Sequence, residues 1–424
     1  MPERSNAWPA CKFGDVAEFR NGLNFTQGSR GQTVKVVSVA DFGVAEELSD
    51  FTQTGTVRIN GDLNGEDILK DGDLLFVRSN GNKALVGRCV YVRPNGEKVT
   101  FSGFTIRARL KSGAVDPWFM SKVVRSPLFK EALYRLGGGS SINNLSQGVL
   151  SEFEFPLPPL PEQRKIAEIL RTWDKAIEAC ERLIELLKAR QLALVHQLVF
   201  GSRRLGNFAR SNKMHKFRWL SVPADWSVAP IGSIADESSE INRDGDAFDV
   251  LSCSKHDGFV RSLEYFKKQV FSSDLSGYKI IRRGEFGFPS NHVEEGSIGL
   301  QNLVDEGLVS PIYTVFRFHA DRVDNDYAYA VLKTDLYRHI FQVSTSASVD
   351  RRGSLRWSDF SMLPFPLPPI DEQRAIHKVL AAGLAEIDQQ QTERDVLAKQ
   401  KRGLMQKLLT GEWRVKIDKE PAHG

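Results

Sequence analysis

The sequence predicts an α+β fold: two similar α+β modules separated by two long antiparallel helices, with internal pseudo-two-fold symmetry. Three observations predict it. A proline-braced helix start occurs twice, as PLPPLPEQRKIA at 156–167 and PLPPIDEQRAIH at 366–377, at a constant offset (366 − 156 = 210). A heptad-spaced apolar seam follows each copy. Ahead of each copy lie short strand-like runs punctuated by Gly and Asn.

The repeat keeps register without a gap. Phe155, Ile166, Leu170, Ile177, Leu187, Leu194, Leu198 and Gly201 meet Phe365, Ile376, Leu380, Ile387, Leu397, Leu404, Leu408 and Gly411. A fainter match lies upstream, where Trp8 begins WPACKFGDVA and Trp226 begins WSVAPIGSIA (226 − 8 = 218). The helical units match well and the modules match only at scaffold positions. Such a pattern suits one frame with two different recognition surfaces.

Each element has a local reason. In the first module TVKVVSV, DLLFVRS, LVGRCVYV and FTIRARL read as strands; in the second FDVLSCS and PIYTVFRF do. Each module then carries a helical segment, PWFMSKVVRSPLFKEALYRL or DYAYAVLKTDLYRHIFQV, and a small polar loop, GGGSSINN at 137–144 or STSASVDRRG at 344–353. PLPP is a rigid extended lead into a helix, because proline cannot continue one and biases its predecessor to extended geometry. The first long helix carries Ile166, Leu170, Trp173, Ile177, Cys180, Ile184 and Leu187 on one seam, with Gln191 its one polar member. It spans about 55 Å and stops at Gly201. The second seam is poorer, with Gly383, Gln390, Arg394 and Lys401 at matching positions. An antiparallel pair suits it better than a lone dimerising helix; the bland reading is two core helices of separate globular units. The basic run at 202–219 reads either as a solvated linker or as phosphate-contacting.

Composition narrows function. The chain has 424 residues, 41% of them hydrophobic, and a net charge of +4, which permits nucleic acid without requiring it. The four cysteines are scattered without a CxxC pair, so neither a disulfide framework nor a zinc site is expected. No secretory signal or membrane span is visible, and a cytoplasmic place is the expectation. There is no GxxxxGK[ST], HExxH or GxSxG, and no Asn-Pro-Pro-aromatic or Asp-Pro-Pro-aromatic stretch of the kind that holds a flipped base. No catalytic, metal-ligating or cofactor-binding residue is singled out.

The order module, helix, module, helix resembles the specificity subunit of type I restriction–modification enzymes. PLPPLPEQRKIAEIL and PLPPIDEQRAIHKVL resemble its conserved helical regions, and QKLLTGEWRV resembles its usual ending. The resemblance implies target-recognition domains over 1–155 and 221–365, spacer helices over 156–201 and 366–411, a basic linker over 202–220 and a tail over 412–424. It implies a non-catalytic chain that binds double-stranded DNA at a bipartite, asymmetric target. Two methyltransferase subunits and restriction/translocase subunits are the implied partners, and S-adenosylmethionine, ATP and Mg belong to them. The rival readings are a DNA methyltransferase or nuclease with an unrecognised centre, and a non-specific coiled-coil scaffold.

Polar loop residues are the candidates for reading bases, since Arg, Lys, Asn, Gln and Ser offer the required donors and acceptors. In the first module these are Arg78, Ser79, Asn80, Asn82 and Lys83, with Ser140, Ser141, Asn143 and Asn144. In the second they are Ser290, Asn291 and His292, with Ser346, Arg351 and Arg352. Each is also an ordinary turn residue. The repeated helix starts, Glu162, Gln163, Arg164 and Glu372, Gln373, Arg374, are the candidates for partner docking.

Overall fold

The computed structural model describes the chain except residues 1–7, 26–30, 44–45, 60–62, 112, 137–143, 207, 209–212, 246–247, 292, 346–353 and 418–424. The chain forms two compact units. Unit 1 is Met1–Glu181 with Thr392–Gly424, and unit 2 is Arg182–Gln391.

In unit 1 the central sheet is built from β1 (Ala17–Asn21), β2 (Glu47–Leu48), β3 (Leu74–Val77), β4 (Cys89–Val92) and β5 (Thr105–Leu110), in the order β1-β5-β3-β4-β2. The run LLFV is buried throughout, which is why it is apolar at every position rather than alternating. Helices α1 (Pro117–Val123) and α2 (Pro127–Leu136) cover it, and α3 (Leu160–Val199) follows. In unit 2, β6 (Ala235–Ser238), β7 (Phe286–Pro289), β8 (Gly299–Leu300) and β9 (Tyr313–Phe318) pair in the order β6-β9-β7-β8, the same order as β1-β5-β3-β4. Helices α4 (Asn325–Leu332) and α5 (Asp335–Ser344) correspond to α1 and α2, and α6 (Ile370–Thr410) closes the series.

Each helical segment of a module is two helices. Pro127 opens α2 because its ring cannot sit inside a helix. Thr334 divides α4 from α5 by accepting from the Tyr337 amide at 3.3 Å, an N-cap. The long helices run 40 and 41 residues, about 60 Å each. Gly201 and Gly411 adopt φ of 69° and 75° just past their ends, a backbone region that glycine enters without penalty.

Each unit uses half of both long helices. In unit 1, Ile166 and Leu170 of α3 join Leu408 and Leu409 of α6 in the core around Phe13, Phe76 and Phe153. In unit 2, Leu198 and Val199 of α3 join Ile376 and Leu380 of α6 in the core around Phe286, Phe316 and Phe365. The start of one helix thus packs beside the end of the other in each unit, an antiparallel arrangement. The two readings of the helices merge: they pair with each other, and their ends are core helices.

Candidate nucleic-acid interface and helix-start network

Both units build the same turn at the open end of the sheet. In unit 1 the Thr105 amide donates to the Ser102 carbonyl at 2.9 Å, closing Ser102-Gly103-Phe104-Thr105. In unit 2 the Tyr313 amide donates to the Ser310 carbonyl at 2.9 Å, closing Ser310-Pro311-Ile312-Tyr313. The residue after the neighbouring strand then bonds to the turn. Arg78 N–H reaches the Phe104 carbonyl at 2.8 Å, and Ser290 N–H reaches the Ile312 carbonyl at 3.3 Å. Finally, the Leu145 amide donates to Arg78 O and the Leu355 amide to Ser290 O, both at 2.8 Å. Loop 78–83 is therefore tied to the chain at Asn144–Leu145, and Ser290–Asn291 to Ser354–Leu355.

The predicted base-reading residues fall on this frame. Asn82 and Lys83 are exposed. Ser79 and Asn80 line a cleft of about 530 Å³ with Ser38, Ser102 and Phe104. Asn80 Oδ1 accepts from Asn82 N at 2.8 Å and Asn82 Oδ1 from Ala84 N at 3.1 Å, so both asparagines also shape the turn that presents them. The Arg78 guanidinium donates to the Gly103 carbonyl at 3.3 Å. Asn144 is exposed, while Ser290 and Asn291 are half-buried. Ser140, Ser141, Asn143, His292, Ser346, Arg351 and Arg352 lie outside the described residues.

The helix starts form a second matched network. Gln163 accepts from Asp116 N at 2.8 Å and donates to Pro158 O at 2.8 Å and Ala114 O at 3.3 Å. Gln373 accepts from Asp324 N at 2.9 Å and donates to Pro368 O at 2.8 Å and Arg322 O at 2.9 Å. Each glutamine thereby fixes the proline lead to the residue that N-caps α1 or α4. Glu162 accepts from Arg414 at 2.6 and 2.9 Å. Glu372 accepts from Arg204 at 2.6 and 2.9 Å and from the Trp226 indole at 3.1 Å. Arg414 lies over Trp8 at 4.9 Å as Arg204 lies over Trp226 at 5.3 Å. Burial opposes the Arg204 charge, but Asp225 and Glu372 outweigh it and hold its pKa above the ordinary value. Glu162, Gln163, Glu372 and Gln373 are all buried, whereas Arg164 and Arg374 are exposed.

Sequence reasoning missed Arg204, Arg414, Trp8 and Trp226 as members of this network. Arg204, grouped with the linker's cations, is committed to Glu372 and Asp225 instead. The signal was available, since Arg204 and Arg414 share the helix offset (414 − 204 = 210) and the tryptophans share the module offset.

Burial pushes the Cys89 and Cys253 thiols up to about 12, which leaves both protonated and unreactive at neutral pH. Among the described residues, Asp324, Asp326 and His377 are the one trio close enough to share a metal ion. Asp324 already caps α4, and both carboxylates sit at a helix N-terminus, where the dipole disfavours a cation. His377 Nδ1 lies 3.5 Å from each carboxylate, an ion-pair arrangement when the ring is protonated.

Known proteins match this frame. The family profile described as "Type I restriction modification DNA specificity domain" matches residues 7–189. A proposed type I restriction enzyme specificity subunit of Methanocaldococcus jannaschii, MjaX, is 24% identical over 96% of this chain and 94% of its own. The MjaVIII specificity subunit of the same organism is 22% identical over 88% of this chain and 85% of its own. The crystal structure of the HsdS subunit from Thermoanaerobacter tengcongensis superposes with a TM-score of 0.51 at 16% identity, covering 97% of this chain and 100% of that one. The chain belongs to the type I restriction–modification specificity subunits. A chain from a structure of type I R-M complex assembly and conformational transition gives a TM-score of 0.57 at 16% identity, over 96% of this chain and 98% of that one. The protein is thus the DNA specificity subunit of a type I restriction–modification system. A specificity subunit is non-catalytic; the system's activities and their cofactors reside in partner subunits. No helix among the described residues is long and apolar enough to cross a membrane.

Proposed function

We propose that the modules at 1–155 and 221–365 each read one half of a split, asymmetric DNA target. The long helices set the unread spacer, and two methyltransferase subunits dock beside the helix starts. Restriction/translocase subunits complete the assembly, which works in the cytoplasm on cellular DNA. The observation that carries this reading is the matched turn network. Two units hold their loops with the same backbone bonds yet place different side chains on them, Arg78, Asn80 and Phe104 against Ser290, Asn291 and Ile312. One frame with two faces reads two different half-sites.

In the docking part of this proposal, Arg164 and Arg374 face the partner. Behind them Gln163 and Gln373 hold the proline lead in shape, and Glu162 and Glu372 hold Arg414 and Arg204. Residues of the loops outside the described set, Ser140, Ser141, Asn143, His292, Ser346, Arg351 and Arg352, join the base-reading set.

Mapping adenine methylation in cells carrying this chain and its methyltransferase identifies the target. Exchanging residues 1–155 for those of a relative then changes one half-site and leaves the other. The complex loses roughly 10³-fold or more of its preference for the old target. A change in both half-sites would sink the modular reading. Methyl transfer or cleavage by the pure chain with DNA, Mg²⁺ and S-adenosylmethionine would establish the rival, catalytic one.

A further inference from the structure

The turn tips carry large exposed hydrophobes. Gly, Pro, Asn, Asp and Ser dominate surface turns, and position three stands at the tip of each of these. Here it holds Phe104 in unit 1 and Ile312 in unit 2. Phe104 is 64% exposed and Ile312 44% exposed. Neither side chain belongs to any buried core of its unit. The same unusual choice therefore occurs twice, at equivalent places whose scaffolds match and whose other side chains differ.

Their surroundings narrow the occupant. Phe104 shares its cleft with the small residues Ser38, Val39, Ala40, Ser79, Asn80 and Ser102. Ile312 stands beside Ser290 and Ser310, with its carbonyl accepting from the Ser290 hydroxyl. A protein-binding hot spot is a broad apolar patch that excludes water. One large exposed side chain among small ones, apolar and polar, fits a different surface. The major-groove edge of DNA is an array of hydrogen-bonding atoms interrupted by one apolar group, the C5-methyl of thymine.

We propose that Phe104 and Ile312 are specificity-determining residues, each packing against a thymine methyl in the half-site its module reads. This rests on the recognition reading above and adds a particular base chemistry to it. The neighbouring Ser and Asn side chains then read the flanking base edges, with the apolar contact setting the depth at which the loop seats.

The test uses the subunit assembled with its methyltransferase partners and a duplex carrying the mapped target. Each thymine is replaced in turn by uracil, which removes the methyl and leaves every hydrogen-bonding atom. One position in each half-site should lose about 4-fold in affinity, the size expected for one methyl taken out of water. Phe104→Ala should abolish that sensitivity in the first half-site only, and Ile312→Ala in the second only. Thermal unfolding should be unchanged in both variants, since neither side chain lies in a core. Uracil sensitivity that persists in Phe104→Ala overturns the proposal, as does a half-site in which no thymine is sensitive. Brightening of 2-aminopurine beside the contact, lost in Phe104→Ala, also overturns it, because that signals a wedge between bases. A complex with no preference for target over random DNA sinks the recognition reading itself, a separate and recognisable result.

Discussion

The two units solve one packing problem in different ways. Where α3 and α6 face each other in unit 2, Gln191 donates from its amide to the Leu380 carbonyl at 2.9 Å. It fits because the facing position is Gly383, where a Cβ would stand 2.1 Å from Gln191 Oε1. The matching position in unit 1 is Lys401 (401 − 191 = 210). It pairs with Glu46 at 3.1 Å and with Asp174, and Lys122 joins the same carboxylates. One unit places an amide against a glycine and the other a cluster of charges. The helix starts, by contrast, are held alike in both units. The frame is conserved where a buried polar group must be satisfied by a distant partner. It varies where another polar solution of similar size fits the space.

The largest way to break that likeness is at the helix start. Glu372 is buried and holds Arg204 and the Trp226 indole, and the Arg204 side chain is itself 8% exposed. Glu372→Ala leaves the buried Arg204 guanidinium with Asp225 as its remaining carboxylate and the Trp226 indole without its acceptor, and should cost about 3 kcal/mol of unfolding free energy. Glu162→Ala removes the same carboxylate in unit 1, but its partner Arg414 is 39% exposed. Water screens that pair, so its loss should cost about 1 kcal/mol. Chemical denaturation of the two variants compares them directly. Equal losses would mean that solvent exposure of the arginine does not set the strength.

Next in size is the seam of unit 2. Gly383→Ala forces its new methyl onto Gln191 and should cost about 2 kcal/mol despite alanine's better helix propensity. Adding Gln191→Ala should recover most of that, and a double-mutant cycle measures the coupling. An uncoupled pair would show that the glycine serves something other than the glutamine.

The charge cluster of unit 1 gives the smallest effect at neutral pH and a distinctive pH signature. Burial raises the Glu46 carboxyl, but Lys122, Arg125 and Lys401 outweigh it and hold its pKa down at about 2. An unfolded glutamate titrates near pH 4.3. The folded value is the lower one, so the contribution is full above about pH 4.3 and fades as pH falls toward 2. Glu46→Gln should lose about 1 kcal/mol at pH 7 and show a flatter fall in stability across that acid window. Unfolding curves taken through the window check it; parallel wild-type and variant curves would remove Glu46 from the account.

Much of this architecture was legible in the amino-acid pattern. The offset repeat announced two like units, and the apolar run LLFV at 74–77 and the alternating TIRARL at 105–110 marked the central strands. The heptads and Gly201 and Gly411 bounded the long helices. What stayed hidden depends on residues distant in the chain. Arg204 meets Glu372 across 168 positions and Arg414 meets Glu162 across 252. Helical periodicity reports which face is apolar, but not which carboxylate a far arginine will find. The Gln191–Gly383 fit was equally invisible. Each residue looked like a flaw in its own seam, and only their juxtaposition explains both. At the matched turns of the two sheets, the polar loops drew attention by residue type. Phe104 and Ile312 did not, because an exposed hydrophobe becomes noticeable only after its exposure is known.

The division of the chain into units also orders events during synthesis. Unit 2 is one continuous stretch, 182–391, whereas unit 1 needs both 1–181 and 392–424. The core around Phe13 and Phe153 includes Leu408 and Leu409 from the last helix. The first module to leave the ribosome is therefore the last to be finished. Until some two hundred further residues have been translated, the apolar face of Ile166 and Leu170 has no α6 to cover it. The second unit has no such wait, and can close while the first still holds an unfilled place for the end of its own chain.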